Sequence, residues 1–252
     1  MAVHRYLMHL AYDGSRYHGW QVQENAPSVQ EAITHAVQLI WHTEINLVGC
    51  GRTDTGVHAR EYYAHFEQDA KKTQEELDEL TYRLNRFLND DIAIFRIFPV
   101  PSDLHARFSA HSRTYEYHIH TLKDPFLQEY SWHVHPEPNI IRMNEGAKLL
   151  LKTDDYTSFS KLHSAAKTNI CKVTQAQWDQ TGHRLIFTIT ADRFLRNMVR
   201  AIVGTLVDLG HGKISLKNLE NIIDGKDRSL AGESVPAKGL FLVKVVYLPL
   251  NP

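Results

Sequence analysis

Ten residues carry the densest chemistry in this chain. Gly49, Cys50 and Gly51 lead into Arg52-Thr53-Asp54, and Thr55, Gly56, Val57 and His58 follow. Two glycines before the triplet and one after it allow backbone angles that other residues resist, so the loop can present a carboxylate at a strand end. An aspartate held in that way can act as a nucleophile or as a proton acceptor. A plain turn, in which Asp54 bonds its own backbone, fits the same spacing.

Three further segments carry candidate groups. Arg193, Arg196 and Arg200 fall on one face near the start of an apolar helix read from Phe194 to Leu209, with Arg200 the furthest in. A guanidinium buried there requires a carboxylate or phosphate partner, unless it forms a structural ion pair or snorkels to water. Residues 105–117 mix basic and aromatic side chains up to Tyr115 and Tyr117. Aromatic faces stack on bases and arginines hold phosphates, although either tyrosine also suits an ordinary core strand. Residues 11–23 form a polar and aromatic stretch that reads either as a substrate loop or as a packed surface loop.

The elements that position these groups come from periodicity. Strands are expected at Arg5–Tyr12, Ile45–Cys50, Glu61–Phe66 and Ile92–Phe98. A helix follows Ser28, which forms a capping box with Glu31, and another runs from Thr73 to Phe87. The second half repeats the order with strands at Arg113–His120, Ile170–Trp178, Leu185–Thr190 and Leu240–Leu248. Its helices are expected at Arg142–Lys152, Phe194–Leu209 and Leu216–Ile223. Each half follows a β-α-β-β-α-β plan, and the class is α+β. The halves, residues 1–100 and 101–252, are expected to join one largely antiparallel sheet with flanking helices and a central cleft. Pro99 to Pro101 is the candidate junction, and Leu122–Pro138 reads as a long loop or lid.

Composition narrows the function. At 252 residues, 43% hydrophobic and 23% charged, the chain is an ordinary globular protein. A net charge of −1 argues against a uniformly basic nucleic-acid binder. It leaves room for a local basic site, because binding depends on the local field. Cys50 and Cys171 make no disulfide framework and suit a reducing compartment. The longest apolar stretch, Met198–Leu209, is too short to span a membrane, and the N-terminal stretch lacks a signal-peptide core. A cytoplasmic location is expected. The sixteen histidines show no ligand spacing, so no metal is expected. The acidic run near Glu75 reads as a solvated face.

Taken together the segments resemble the TruA family of tRNA pseudouridine synthases, nearly end to end. AYDGSRYHGWQVQ with SVQEAI looks like its opening signature and GCGRTDTGVHA like its catalytic loop. HARFSAHSRTYEY is similar to its base-stacking strand, FLRNMVRAIVGTL to its arginine helix, and VPAKGLFLVKVVY to its closing strand. Five motifs in order favour the catalytic readings over the structural ones.

The resemblance implies the pseudouridine synthase fold, with Asp54 as catalytic nucleophile, Tyr115 against the target base and Arg200 paired with Asp54. It associates Arg52 with flipping the nucleotide. It also implies action at positions 38, 39 and 40 of the anticodon stem-loop, a homodimer and no cofactor. Thr55, Cys50, Tyr62 and Asn197 depart from the residues usual at their positions, and none replaces a catalytic group. A non-catalytic RNA-binding module and a carboxylate-dependent N-glycosidase are the competing functions for such a residue set.

Overall fold

The computed structural model describes residues 3–161 and 168–248. Among these, nine strands and five α-helices form a largely antiparallel α+β fold, as expected. The chain divides into two compact units, residues 1–111 with 242–252, and residues 112–241.

In the first unit, strand β1 (His4–Tyr12) is buried on both faces at its centre, where Tyr6, Leu7 and Met8 follow one another, and alternates from there to Tyr12. Tyr6, Met8, Leu10 and Tyr12 are buried and face one side. Helix α1 (Val29–Trp41) covers apolar surface with Val29, Ile33, Ala36 and Val37. Its N-cap Ser28 accepts the Glu31 N–H, which is one half of the expected capping box. Strand β2 is confined to Val48–Gly49. The expected longer strand does not form, because the Leu47 carbonyl accepts from the Gln30 side chain instead of a ladder partner. Strand β3 (His58–Gln68) pairs antiparallel with β1 and β2.

Helix α2 (Gln74–Phe87) begins at a full capping box between Thr73 and Glu76 and buries Leu77, Leu80 and Leu84. Glu75 and Glu76 occupy its first turn, where carboxylates favour the positive end of the helix dipole. The acidic run is therefore a solvated helix start. Strand β4 (Ile92–Val100) closes the edge of β1. Asn85 fixes α2 to it by donating to Ile94 O at 2.7 Å and accepting the Ile94 N–H at 2.8 Å.

The second unit has the order β5 (Ala110–His120), β8 (Arg184–Ala191), β7 (Val173–Thr181), all antiparallel. The expected loop after Leu122 contains β6 (Trp132–His133), which pairs parallel with the end of β5. Helix α3 (Ile140–Leu150) docks on β7 through Asn144, which both donates to Trp178 O and accepts its N–H. This repeats the Asn85 device.

Helix α4 runs from Met198 to Gly210 and starts four residues later than periodicity suggests. Asn197 takes a left-handed φ of 69°, which breaks the helical path and which asparagine tolerates better than most residues. Arg193 and Arg196 therefore precede the helix, and Arg200 sits in its first turn rather than deep along it. Eleven of the thirteen α4 residues are buried, so it is a core helix as its all-round apolar pattern implied. Helix α5 (Leu216–Gly225) follows, capped by Ser215 with Asn218, and strand β9 (Leu240–Tyr247) ends the described fold. From Leu242 on, β9 belongs to the first unit and lies beside β3.

Two outcomes test this packing. A Cβ on Gly204 would lie 2.0 Å from the Glu233 carbonyl oxygen, a backbone atom that cannot swing aside. Gly204→Ala therefore lowers stability by about 1–3 kcal/mol in denaturant unfolding, although alanine is the better helix former. His65 is 5% exposed and accepts the Ala106 N–H through Nδ1; burial first, then the His105 charge, lowers its pKa to about 4. His9 and His105 are displaced in the same direction. A depressed histidine contributes stability above its unfolded value of 6.5 that is lost as pH falls toward about 4. The unfolding midpoint should therefore drop across that window, and His65→Asn should flatten the drop.

Candidate active site

The loop carrying Asp54 is held by its backbone. Cys50 N–H donates to Tyr63 O at 2.7 Å, Val57 N–H returns to Asp54 O at 3.1 Å, and Gly56 N–H reaches Tyr17 O at 3.3 Å. Gly56 has a φ of 76°, the left-handed angle its position in the motif suggested. Two buried tyrosines clamp the residues flanking Arg52. The Tyr62 hydroxyl donates to Gly51 O at 2.6 Å, and the Tyr12 hydroxyl lies 2.9 Å from Thr53 Oγ1. A register shift in β1 between Leu10 and Tyr12 occurs where Tyr12 reaches the loop. Trp20 stacks on Tyr62 with centroids 4.2 Å apart, and a Cβ on Gly49 would collide with both rings.

The opening loop is the other wall. Its glycines bring it against the Asp54 loop. A Cβ on Gly14 would meet Val57 O at 2.0 Å, and one on Gly19 would meet Thr53 O at 2.2 Å. The two loops thus lie backbone against backbone. Asp91 ties down the far side: it accepts from the Tyr17 hydroxyl at 2.8 Å and pairs with Arg16 at 2.7 Å. Burial, and then the bond to Asp91, pushes the Tyr17 phenol up to about 12, so it remains a donor. Against this fixed backbone the Arg52 side chain is exposed and Asp54 is half-buried.

In the second unit, Tyr115 lies on β5 opposite Ile189 of β8. It is half-buried, with Phe194 edge-on at 5.0 Å. Tyr117, two residues on and on the same face, is the core residue of the pair. It is fully buried, and its hydroxyl donates to Pro236 O at 2.7 Å. Burial raises its pKa against the opposing Arg200 charge. Arg200 is half-buried, and its Nε donates to Val235 O at 2.6 Å. Val235 N–H returns to Arg200 O at 3.3 Å. A backbone carbonyl therefore meets part of the need that burial of the guanidinium creates.

Arg52 and Asp54 share one loop of the first unit, and Tyr115 and Arg200 belong to the second. Sequence reasoning missed Tyr12, Tyr62 and Trp20 as supports, and also the residues around Val235. Tyr12 and Trp20 lie in the aromatic stretch at residues 11–23, but what they support, and the need for a small residue at Gly49, become visible only with the rings in place. No group of three or more potential metal-ligating side chains occurs among the described residues. Nor is any described helix long and apolar enough to cross a membrane.

Residues 147–248 match the sequence profile of a family described as tRNA pseudouridine synthase. With the α+β fold, this makes the chain an RNA-modifying enzyme of the pseudouridine synthase class. It is 50% identical over 246 residues to tRNA pseudouridine synthase A of Porphyromonas gingivalis, covering 96% of this chain and 97% of that one. It is 46% identical over 248 residues to the Bacteroides fragilis protein of the same name, covering 98% of each. The chain belongs to the tRNA pseudouridine synthase family, and its reaction converts uridine to pseudouridine in tRNA.

The clamp on the Asp54 loop has a one-atom test. Tyr62→Phe keeps the ring stack and removes the donor to Gly51 O. Stability should fall by about 1–2 kcal/mol. The turnover rate should fall several-fold while the affinity for tRNA, read by filter binding, stays unchanged. An unaltered rate would show that the bond does not position the loop.

Proposed function

We propose that Asp54 is the catalytic carboxylate of this synthase and that it acts on uridines 38, 39 and 40 of the anticodon stem-loop. The observation that carries this is the support given to the loop's backbone: buried tyrosines and close glycine contacts fix the residues on either side of Arg52 and Asp54, with Arg52 exposed and Asp54 half-buried. A loop needed only as a turn would not require that much support.

The reaction breaks the N1–C1′ bond, turns the uracil over, and forms a C5–C1′ bond. N1 gains a proton and C5 loses one, so no atoms are gained or lost overall and no group donor is required. A uridine stacked in the stem must first leave the helix, at a cost of a few kcal/mol. Arg52, exposed two residues before Asp54, fills the vacated space. Tyr115 stacks on the extruded base, with its ring set edge-on against Phe194. Asp54 attacks as the nucleophile, and Arg200 pairs with it to orient the carboxylate. The enzyme works as a homodimer in the cytoplasm, without a cofactor.

Incubation with an unmodified tRNA transcript, followed by carbodiimide-dependent primer-extension mapping, tests the reaction and its position together. Asp54→Ala should give no stop at 38–40 and still bind the tRNA. Full activity in that variant would sink the mechanism. Release of free uracil would identify a glycosidase instead.

A further inference from the structure

Three side chains with no assigned role in the reaction converge near Arg200: Asn197, Arg228 and Ser234. Asn197, in its left-handed conformation before α4, donates through Nδ2 to Ser234 Oγ. Arg228, from the turn after α5, donates to the same oxygen through Nη2 at 3.0 Å and to Ala231 O through Nη1 at 3.3 Å. Ser234 thus collects two donors from separate parts of the chain. The next two residues carry the carbonyls already described: Val235 O accepts from Arg200 Nε, and Pro236 O accepts from the Tyr117 hydroxyl.

The rest of the segment is fastened to α4. Gly232 N–H donates to Thr205 Oγ1 at 2.9 Å, and that hydroxyl donates in turn to Ala201 O. A Cβ on Gly232 would lie 2.9 Å from Thr205 N, and one on Gly204 would lie 2.0 Å from Glu233 O. Residues 232–236 therefore form a strap pressed along α4, fastened by the side chains of Thr205, Asn197, Arg228 and Arg200.

We propose that this strap positions the Arg200 guanidinium, and that Ser234, with its donors Arg228 and Asn197, sets where the strap lies. Arg200 itself comes from the first turn of a helix, a place that fixes its Cα but leaves four torsions free. The bond to Val235 O removes that freedom, because it orients the guanidinium plane about Nε and leaves the two terminal nitrogens to face a carboxylate. The direction of Val235 O depends in turn on the peptide planes on either side. The one before it carries the Val235 N–H bonded to Arg200 O and starts at Ser234, whose side chain the two donors anchor, and the Tyr117 bond to Pro236 O holds the one after. Ser234, Arg228 and Asn197 are positioning residues: they act through Arg200 and need no contact with RNA. This inference rests on the reading of Arg200 as the partner of the catalytic carboxylate.

The test uses the full-length enzyme and an unmodified tRNA transcript. Ser234→Ala removes the shared acceptor. Single-turnover pseudouridine formation should slow roughly tenfold, a modest loss for a misoriented catalytic group. The tRNA Kd should stay within about twofold, and Ser234→Thr, which keeps the hydroxyl, should restore the rate. A structural role alone would lower stability without this split between rate and binding. In an Arg200→Lys background, which lacks Nε–H, Ser234→Ala should cost nothing further.

A wild-type rate in Ser234→Ala, a loss confined to tRNA binding, or additive losses in the Arg200→Lys background would overturn the proposal. If Ser234→Ala does not fold, Arg228→Gln, which removes one donor and leaves the strap backbone intact, is judged by the same criteria. Wild-type activity in Arg200→Lys would instead defeat the reading of Arg200 itself. An impaired Arg200→Lys beside a normal Ser234→Ala would defeat only the strap.

Discussion

The position of Asp54 depends on one close approach, that of the opening loop to the loop at residues 50–57. Gly14 and Gly19 bring backbone against the carbonyls of Val57 and Thr53, at distances where any side chain would collide. Two backbones packed so closely leave few polar groups to water, and their hydrogen bonds must be found locally. Gly56 N–H finds Tyr17 O, Val57 N–H finds Asp54 O, and Gly51 O finds the Tyr62 hydroxyl. The need to satisfy buried polar groups thus immobilises the backbone from which the Arg52 and Asp54 side chains project.

The second unit solves the same problem with a helix. Helix α4 is buried nearly all round, and a helix with no polar face has few places from which a charged side chain can emerge. Its first turn is one. The left-handed Asn197 stops the helix from extending toward Arg193, so Arg200 falls at the helix start. The strap at residues 232–236 then covers that start. Small residues on both elements, Gly204 and Gly232, permit the contact, and Thr205 joins them. In both units glycine supplies proximity and a buried hydroxyl supplies direction.

How far the sequence revealed this follows from the range of each interaction. Capping and periodicity are local, so α1, α2, α3 and β1 lie close to where their patterns placed them. The short β2 does not, because the Gln30 side chain takes the Leu47 carbonyl across 17 positions, a competitor that no local pattern contains. The start of α4 was misplaced for another reason. Phe194 and Leu195 continue an apolar period, but one asparagine at a left-handed angle outweighs it. The candidate residues were legible because Asp54, Arg52, Tyr115 and Arg200 lie inside dense motifs. Their supports were not: Tyr12 and Tyr62 act on Thr53 and Gly51 across 41 and 11 positions, and nothing in the sequence shows that Arg228 and Asn197 meet on Ser234.

That asymmetry bears on how the site can vary. A side chain that meets the substrate is constrained by chemistry, so its type is fixed. A side chain that only orients a peptide plane is constrained by geometry, and any group able to deliver a donor to the same oxygen will serve. Tyr62 illustrates this: what the loop requires is a donor to Gly51 O, and here a phenol stacked on Trp20 provides it. Asn197 similarly combines two tasks, a left-handed backbone and a donor to Ser234. Departures from a common motif at such positions therefore exchange one means of holding the backbone for another, and the reaction is preserved as long as the oxygen atoms they hold stay in place.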